Sequence, residues 1–172
     1  MNIVILGGNS PRHKQWIRDV KTALESSFDE VRLLDYKHWA TGADSADIDY
    51  EITQTAKLVE DLDDYIIVAK SVGTIIAMTG CASGVLKPHA LLLMGVPLRG
   101  YEDIATELSQ AIAALPNVTF LQNENDPFGT SDEVEALIKK SPPKQWRLIK
   151  SAGDTHDYVD YATILRLCNE LV

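Results

Sequence analysis

Six short apolar runs, each separated from the next by a stretch with helical periodicity, constrain the fold of this chain most strongly. Most of them carry Val, Ile and Leu on consecutive positions, which is typical of strands buried on both faces. They lie at residues 2–6, 30–34, 65–69, 90–94, 118–122 and 146–150. Alternation of such strands with helices predicts right-handed crossovers and a sheet covered on both sides. We therefore predict an α/β protein, a three-layer α/β/α sandwich with a six-stranded, mainly parallel sheet.

The helical stretches carry apolar residues three to four positions apart, as the buried side of an amphipathic helix does. Such stripes lie within 16–28, 104–115, 134–138 and 161–168, and a weaker one lies within 50–62. Thr130 and Glu133 have the spacing of a capping box before the third of these helices. Residues 36–49 form the longest connection, which could either wall a pocket or be mobile. Because neither a linker nor a repeat interrupts the pattern, residues 1–172 are expected to form a single domain.

Composition and charge exclude several classes of function. The chain is 45% hydrophobic and carries a net charge of -9, so its surface would repel nucleic acid and anionic membranes. No apolar run is long enough to cross a bilayer, and residues 1–8 are typical of a first strand rather than of a signal peptide. Cys81 and Cys168 lie far apart, without the spacing of metal ligands. We expect free thiols in a cytoplasmic protein that holds neither a metal nor a cofactor.

The segment Ala69-Lys70-Ser71-Val72-Gly73 lies between the third apolar run and the next helical stretch. A serine at the apex of a strand-to-helix turn, with small residues two positions away on both sides, is the pattern of a nucleophile elbow. The small residues are required because the turn is strained and the helix crosses close to the strand. A surface serine near a glycine is common, so the placement of Ser71 between a strand and a helix gives this pattern its weight.

Serine needs a base to become a nucleophile, and in a parallel sheet that base should follow the carboxyl end of a strand. His156 meets this condition, because it lies in a glycine-containing loop between the sixth strand and the last helix. His89 precedes a strand, His38 lies towards an edge of the sheet, and His13 lies on the correct side but near a different loop. His156 is therefore the candidate base, although a solvated or capping histidine would also suit this loop.

The third member of such a site is an acid that orients the histidine. Asp126 follows the fifth strand and precedes a proline, which favours an extended backbone and could direct its carboxylate inward. The same segment is also ordinary turn chemistry. Asp154 and Asp157 are rivals by their proximity to the histidine, and Glu124 is a further substitute. We rank Asp126 first, because near neighbours rarely present a carboxylate to the correct ring nitrogen.

The chain order Ser71, Asp126, His156 resembles that of the α/β-hydrolase fold family. The resemblance covers nearly the whole chain, but Ala69 stands where the G-x-S-x-G pattern has its first glycine. By this resemblance, the first strand of the chain is expected to correspond to the family's third strand. Only residues 98–100 occupy the place where larger members insert a lid. The resemblance therefore implies a compact core with an open, shallow site.

The resemblance also indicates where an oxyanion hole would lie. Gly7 and Gly8 follow the first strand, where the family supplies part of this feature, so the backbone N–H groups of Asn9 and Val72 would bind the developing negative charge. Two consecutive glycines are equally consistent with a simple tight turn. Lys70, beside the serine, is expected to be structural or to act through its charge.

These residues favour a serine hydrolase that cleaves small, short-acyl esters, a carboxylesterase, through an acyl-enzyme intermediate. Its partner would be a small-molecule ester. The residues expected to line the substrate pocket are Gly8, Trp39, Met94, Val96, Pro97 and Phe128.

Two other functions stay open at this point. One is a Rossmann-like domain that binds a nucleotide or phosphate at the helix after Gly7-Gly8, with Asp35 as a ribose-binding acid. The G-x-G-x-x-G spacing is absent, however. The other is a catalytically silent interaction protein on the hydrolase scaffold.

Overall fold

The computed structural model describes the backbone of residues 1–172 and every side chain except that of residue 105. Within these described residues, six strands form a single sheet in the order β2-β1-β3-β4-β5-β6, and every neighbouring pair is parallel. The strands are β1 (Asn2–Leu6), β2 (Val31–Leu33), β3 (Tyr65–Lys70), β4 (Ala90–Met94), β5 (Asn117–Asn123) and β6 (Gln145–Ser151). The prediction of a mainly parallel six-stranded sheet is confirmed.

Helices cover both faces of the sheet. They are α1 (His13–Leu24), α2 (Lys37–Thr41), α3 (Ile48–Leu58), α4 (Val72–Ala82), α5 (Ala105–Ala113), α6 (Ser131–Lys140) and α7 (Tyr161–Asn169). Helices α1 and α7 contact each other, whereas α3, α4, α5 and α6 contact one another in series. This division gives the three layers of an α/β/α sandwich, as predicted. None of the described helices is long and apolar enough to span a membrane.

The core lies around the two central strands. Every residue of β3 and β4 is buried, because β3 pairs with β1 and β4 while β4 pairs with β3 and β5. Strand β2 pairs with β1 alone and keeps only three residues, fewer than the predicted 30–34. The capping box of α6 is confirmed, since Thr130 Oγ1 accepts from the Glu133 N–H and Glu133 Oε2 accepts from the Thr130 N–H.

The long connection at residues 36–49 is more ordered than its composition indicated. It contains the short helix α2, in which His38 and Trp39 are buried, and Gly42 ends this helix with a φ of 75°. The segment packs against the loop that follows β1, because Trp39 Nε1 donates a hydrogen bond to the Asn9 carbonyl. Residues 36–49 therefore form a wall of the molecule at the carboxyl edge of the sheet.

Candidate active site

Ser71 occupies a strained turn at the carboxyl end of a central strand. It stands between the last residue of β3 and the first residue of α4, with φ 55° and ψ -126°. Among the described residues it alone combines a side chain with a positive φ. Such a conformation costs about 1–3 kcal/mol and persists only where the surrounding structure enforces it. The strain places the hydroxyl at the edge of the sheet.

Gly73 shows why small residues flank this turn. A Cβ atom on Gly73 would lie 2.7 Å from the carbonyl oxygens of both Leu6 and Gly7. The Gly73 N–H donates to the Gly7 carbonyl at 3.0 Å, which ties the start of α4 to the loop after β1. The glycine is therefore required by the close approach of two backbone segments, whereas Ala69 is buried in β3 and fits where it stands.

His156 and Asp126 form a hydrogen-bonded pair beside this turn. His156 Nδ1 lies 2.8 and 2.9 Å from the two carboxylate oxygens of Asp126, which is fully buried in the loop after β5. Burial alone would raise the pKa of Asp126. Hydrogen bonds from His156, from the Phe128 N–H and from the Tyr158 hydroxyl outweigh it and lower the pKa below its usual value. The carboxylate is therefore ionised at neutral pH and fixes the ring of His156.

Tyr158 supports the carboxylate from the other side and was not singled out by the sequence. Its hydroxyl donates to Asp126 Oδ2 at 2.8 Å and accepts from the Asn123 N–H at 3.0 Å. Gly95 makes room for the ring, because a Cβ there would lie 2.5 Å from Tyr158 Cε2 and 2.9 Å from His156 Cε1. The only available sequence signal was an aromatic residue two positions after the candidate base.

A cavity of about 620 Å³ opens at this edge of the sheet, and both Ser71 and His156 line it. The Phe128 ring stands against the imidazole of His156, with 4.7 Å between ring centroids. His156 Nε2 has no hydrogen-bond partner among the described residues. Apolar or aromatic side chains contribute much of the remaining wall: Ala46, Ile48, Pro97, Tyr101 and Phe128. The described residues contain no cluster of His, Cys, Asp or Glu that could hold a metal ion.

Comparisons with known proteins identify the fold but not a sequence family. No protein-family model matches the chain, and no curated protein matches it in sequence. Solved structures do match. A monoacylglycerol lipase from Paleococcus ferrophilus has a TM-score of 0.72 at 10% identity, covering 99% of this chain and 95% of its own. Est1E from Butyrivibrio proteoclasticus, in a structure with ferulic acid bound, has a TM-score of 0.72 at 16% identity over 99% and 88%.

The type II thioesterase BorB from the borrelidin biosynthetic cluster gives a TM-score of 0.68 at 18% identity, over 99% of this chain and 90% of that one. The chain has the α/β-hydrolase fold. At these identities the comparisons establish architecture, so the roles of individual residues in this α/β-hydrolase fold must be argued from its own geometry.

The α/β-hydrolase fold places the predicted pocket residues in two groups. Pro97 and Phe128 line the cavity. Trp39, Met94 and Val96 are instead packed in the core, with exposures of 6%, 0% and 0%. Met94 ends β4 in register with Lys70 and Leu121, and its position in the sheet keeps it inside. The expectation that these three side chains wall the pocket is therefore corrected.

Gly8 lies beside Ser71 without contributing a side chain to the cavity wall. A Cβ on Gly8 would stand 3.1 Å from Ser71 Cβ and 2.2 Å from His13 Nδ1. The loop after β1 thus passes directly between the serine and the first residue of α1. Only a glycine fits there, which gives Gly8 a steric role next to the site.

Asn9 is fixed by four hydrogen bonds to the 36–49 segment. Its carbonyl oxygen accepts from His38 Nε2 at 2.6 Å and from Trp39 Nε1 at 3.0 Å. Its side chain donates to the Asp44 carbonyl at 2.8 Å and accepts from the Ala46 N–H at 2.9 Å. Trp39 therefore holds the loop after β1 in place. Val72 is the first residue of α4, so its N–H is one of those that a helix start leaves without an internal acceptor.

The other acids considered as partners of His156 do not occupy the position that Asp126 takes. Asp154, Asp157 and Glu124 are exposed, whereas Asp126 is buried and bonded to His156. Asp35, the acid considered for a ribose, forms an exposed ion pair with Arg18 instead. The arrangement can accept a proton at His156 Nε2 and can present the backbone N–H groups of a helix start to a developing negative charge.

Proposed function

We propose that this protein is a serine hydrolase that cleaves small-molecule esters through an acyl-enzyme intermediate. The observation that carries the proposal is the position of His156: its Nδ1 is bonded to a buried, ionised Asp126, and its ring lines the same cavity as Ser71. Structural likeness to esterases, a lipase and a thioesterase supports hydrolase chemistry. Structures without substrate often show longer catalytic hydrogen bonds, which tighten in the complex.

In the proposed reaction, His156 Nε2 accepts the proton of the Ser71 hydroxyl while Oγ attacks the acyl carbon. The imidazolium then donates this proton to the departing alkoxide, which leaves an acyl group on Ser71. Water, deprotonated by the same imidazole, attacks the acyl carbon and releases the acid. Asp126 stays ionised throughout and stabilises the imidazolium, because three groups donate hydrogen bonds to its oxygens.

The N–H groups of Val72 and Asn9 are the proposed oxyanion donors. Val72 begins α4 directly after Ser71, and Asn9 follows Gly8, on which a Cβ would lie 3.1 Å from Ser71 Cβ. The four hydrogen bonds on the Asn9 carbonyl and side chain hold the loop that carries its N–H before the substrate arrives. Donors that need no reorganisation during the reaction stabilise the developing charge most effectively.

The cavity indicates the size of the acyl group. Its apolar wall, formed by Ile48, Pro97 and Phe128 among others, suits the aliphatic part of an acyl chain. A volume of about 620 Å³ lies within the range of pockets for small ligands. We therefore propose a carboxylesterase acting on short acyl esters of small alcohols or phenols.

The test combines covalent labelling with a chain-length series. The wild-type protein should be labelled by a fluorophosphonate probe and should hydrolyse p-nitrophenyl acetate and butyrate faster than the dodecanoate. Ser71→Ala should abolish both labelling and turnover while keeping the circular dichroism spectrum. Ser83→Ala, at an exposed serine after α4, serves as the matched control and should retain both. Equal turnover by the wild type and Ser71→Ala would refute the proposal, and the same series with thioesters reports the preferred leaving group.

A further inference from the structure

His13 and Lys70 form a partly buried contact beside the proposed site that the reaction steps above do not use. Lys70 is the last residue of β3, immediately before Ser71, and its side chain is only 1% exposed. Its ammonium donates a hydrogen bond to His13 Nε2 at 3.1 Å and lies 5.6 Å from the centre of the Trp16 ring. A lysine at the end of a core strand is costly to bury, so its retention there calls for a reason.

The contact fixes the tautomer of His13. An ammonium group only donates hydrogen bonds, so the nitrogen that faces Lys70 must offer its lone pair. The neutral imidazole therefore carries its hydrogen on Nδ1. Burial and the positive charge of Lys70 lower the pKa of His13 to about 4, which keeps the ring neutral at physiological pH.

The Nδ1 atom of His13 is directed at the loop after β1 and is closed off from solvent. A Cβ on Gly8 would lie 2.2 Å from this atom. The Gly8 backbone raises the pKa of His13, against the larger lowering by burial and by the charge of Lys70. Within the described residues Nδ1 has no hydrogen-bond partner, and the loop at Gly8 is the backbone that lies against it. Because Nδ1 is occluded, a substrate atom could not reach it without movement of the loop.

The neighbouring carbonyls of this loop are already held. The Gly7 carbonyl accepts from the Tyr36 hydroxyl and from the Gly73 N–H, both at 3.0 Å. The Asn9 carbonyl accepts from His38 and Trp39. The peptide between Gly8 and Asn9 is the remaining unit, and in a planar trans peptide the C=O and N–H point in opposite directions. A donor that reaches the Gly8 carbonyl would therefore set the direction of the Asn9 N–H.

We propose that His13 is a positioning residue, whose Nδ1–H, set by Lys70, orients the Gly8–Asn9 peptide so that the Asn9 N–H faces the oxyanion. This inference rests on the proposed hydrolase function. It gives the buried Lys70 a purpose, because the lysine next to the nucleophile would determine which nitrogen of His13 carries the hydrogen.

The test uses two substitutions that each keep one half of the imidazole. His13→Asn keeps an amide donor at the position of Nδ1, whereas His13→Gln keeps a polar group at the position of Nε2, facing Lys70. We expect His13→Gln to lower kcat for p-nitrophenyl acetate about 10- to 100-fold and to change KM less than about threefold. This loss of kcat is smaller than the loss expected when an oxyanion donor is removed. His13→Asn should recover most of this loss. His89→Asn, at an exposed histidine at the other end of the sheet, is the matched control.

Two further measurements separate positioning from a structural role. An aryl trifluoromethyl ketone forms an oxyanion on Ser71. The affinity of His13→Gln for this inhibitor should fall, relative to the wild type, by about the same factor as its kcat. Lys70→Met should lower kcat at least about threefold, and combining it with His13→Gln should add little, because both changes act on one contact. If His13→Gln does not fold, Lys70→Met and His13→Asn still decide the matter.

The outcomes distinguish this inference from the proposed function. If the wild type is active, Ser71→Ala is inactive and the His13 and Lys70 variants match the wild type in kcat and inhibitor affinity, only the positioning role is overturned. Equal losses in His13→Asn and His13→Gln, or a change confined to KM, would overturn it as well. If Ser71→Ala keeps full turnover, the proposed function itself fails.

Discussion

Mild acid should destabilise the folded protein through His13. The pKa of this residue is lowered from its usual value of 6.5 to about 4 by burial and by the charge of Lys70. Between these two values the unfolded chain binds a proton that the native protein does not. Stability therefore falls as the pH decreases from 6.5 towards 4, with the full contribution present above 6.5.

The size of the effect follows from the same two values. Where only the unfolded state is protonated, the free energy of unfolding changes by about 1.4 kcal/mol for each pH unit. From about pH 7.5 to about pH 5 the loss attributable to His13 is then about 2 kcal/mol. His13 is partly exposed, so solvent screening reduces this to about 1–2 kcal/mol.

Urea unfolding of the wild type and of His13→Gln at a series of pH values isolates this contribution, because the other titrating groups are common to both proteins. The wild type should lose about 1–2 kcal/mol more than the variant between neutral pH and about pH 5. Ring-proton NMR shifts provide an independent reading, in which His13 titrates near 4. Parallel pH profiles for the two proteins, or titration of His13 near its usual value, would refute the reasoning.

Four further substitutions, one of them a control, test the site and the turn. Asp126→Asn should lower kcat by about two to four orders of magnitude, which is a smaller loss than that of Ser71→Ala. Asp154→Asn, at an exposed position, is the control and should leave kcat within about twofold of the wild type. A larger loss of kcat in Asp154→Asn than in Asp126→Asn would contradict the assignment of the acid. Tyr158→Phe should lower the free energy of unfolding by about 2–3 kcal/mol in urea titrations, because two buried groups lose their hydrogen-bond partner; an unchanged midpoint would contradict this. Gly73→Ala should cost about 3 kcal/mol or more, since its Cβ would lie 2.7 Å from two backbone oxygens; a Tm close to that of the wild type would show that the helix can shift at little cost.

The fold was predictable because the amino-acid composition of each central strand indicates that the strand is buried. A strand with helices on both faces has no polar side to alternate with, so β3 and β4 are continuous apolar runs whose bounds were nearly right. The edge strand β2 was predicted too long. Its length depends on how many residues can pair with β1, which is a property of the partner strand as well as of its own sequence.

The candidate site was predictable where a residue's place in the chain order fixes its place in the sheet. Ser71, Asp126 and His156 each follow the carboxyl end of a strand, and such ends meet at one edge. The pocket residues were less predictable. Trp39 lies at the right edge but turns inward to hold Asn9, and the direction of a loop side chain depends on what packs around it.

By itself, the sequence of this protein determined the order of strands and helices, the strained turn around Ser71 and the loops in which an acid and a base could lie. These features depend on periodicity and steric requirements within a few residues. Only the tertiary structure decided that Tyr158 supports Asp126 and that Lys70 contacts His13, which are 57 residues apart in the chain. Contacts of that kind arise from the packing of complete elements, so no short segment contains the information that specifies them.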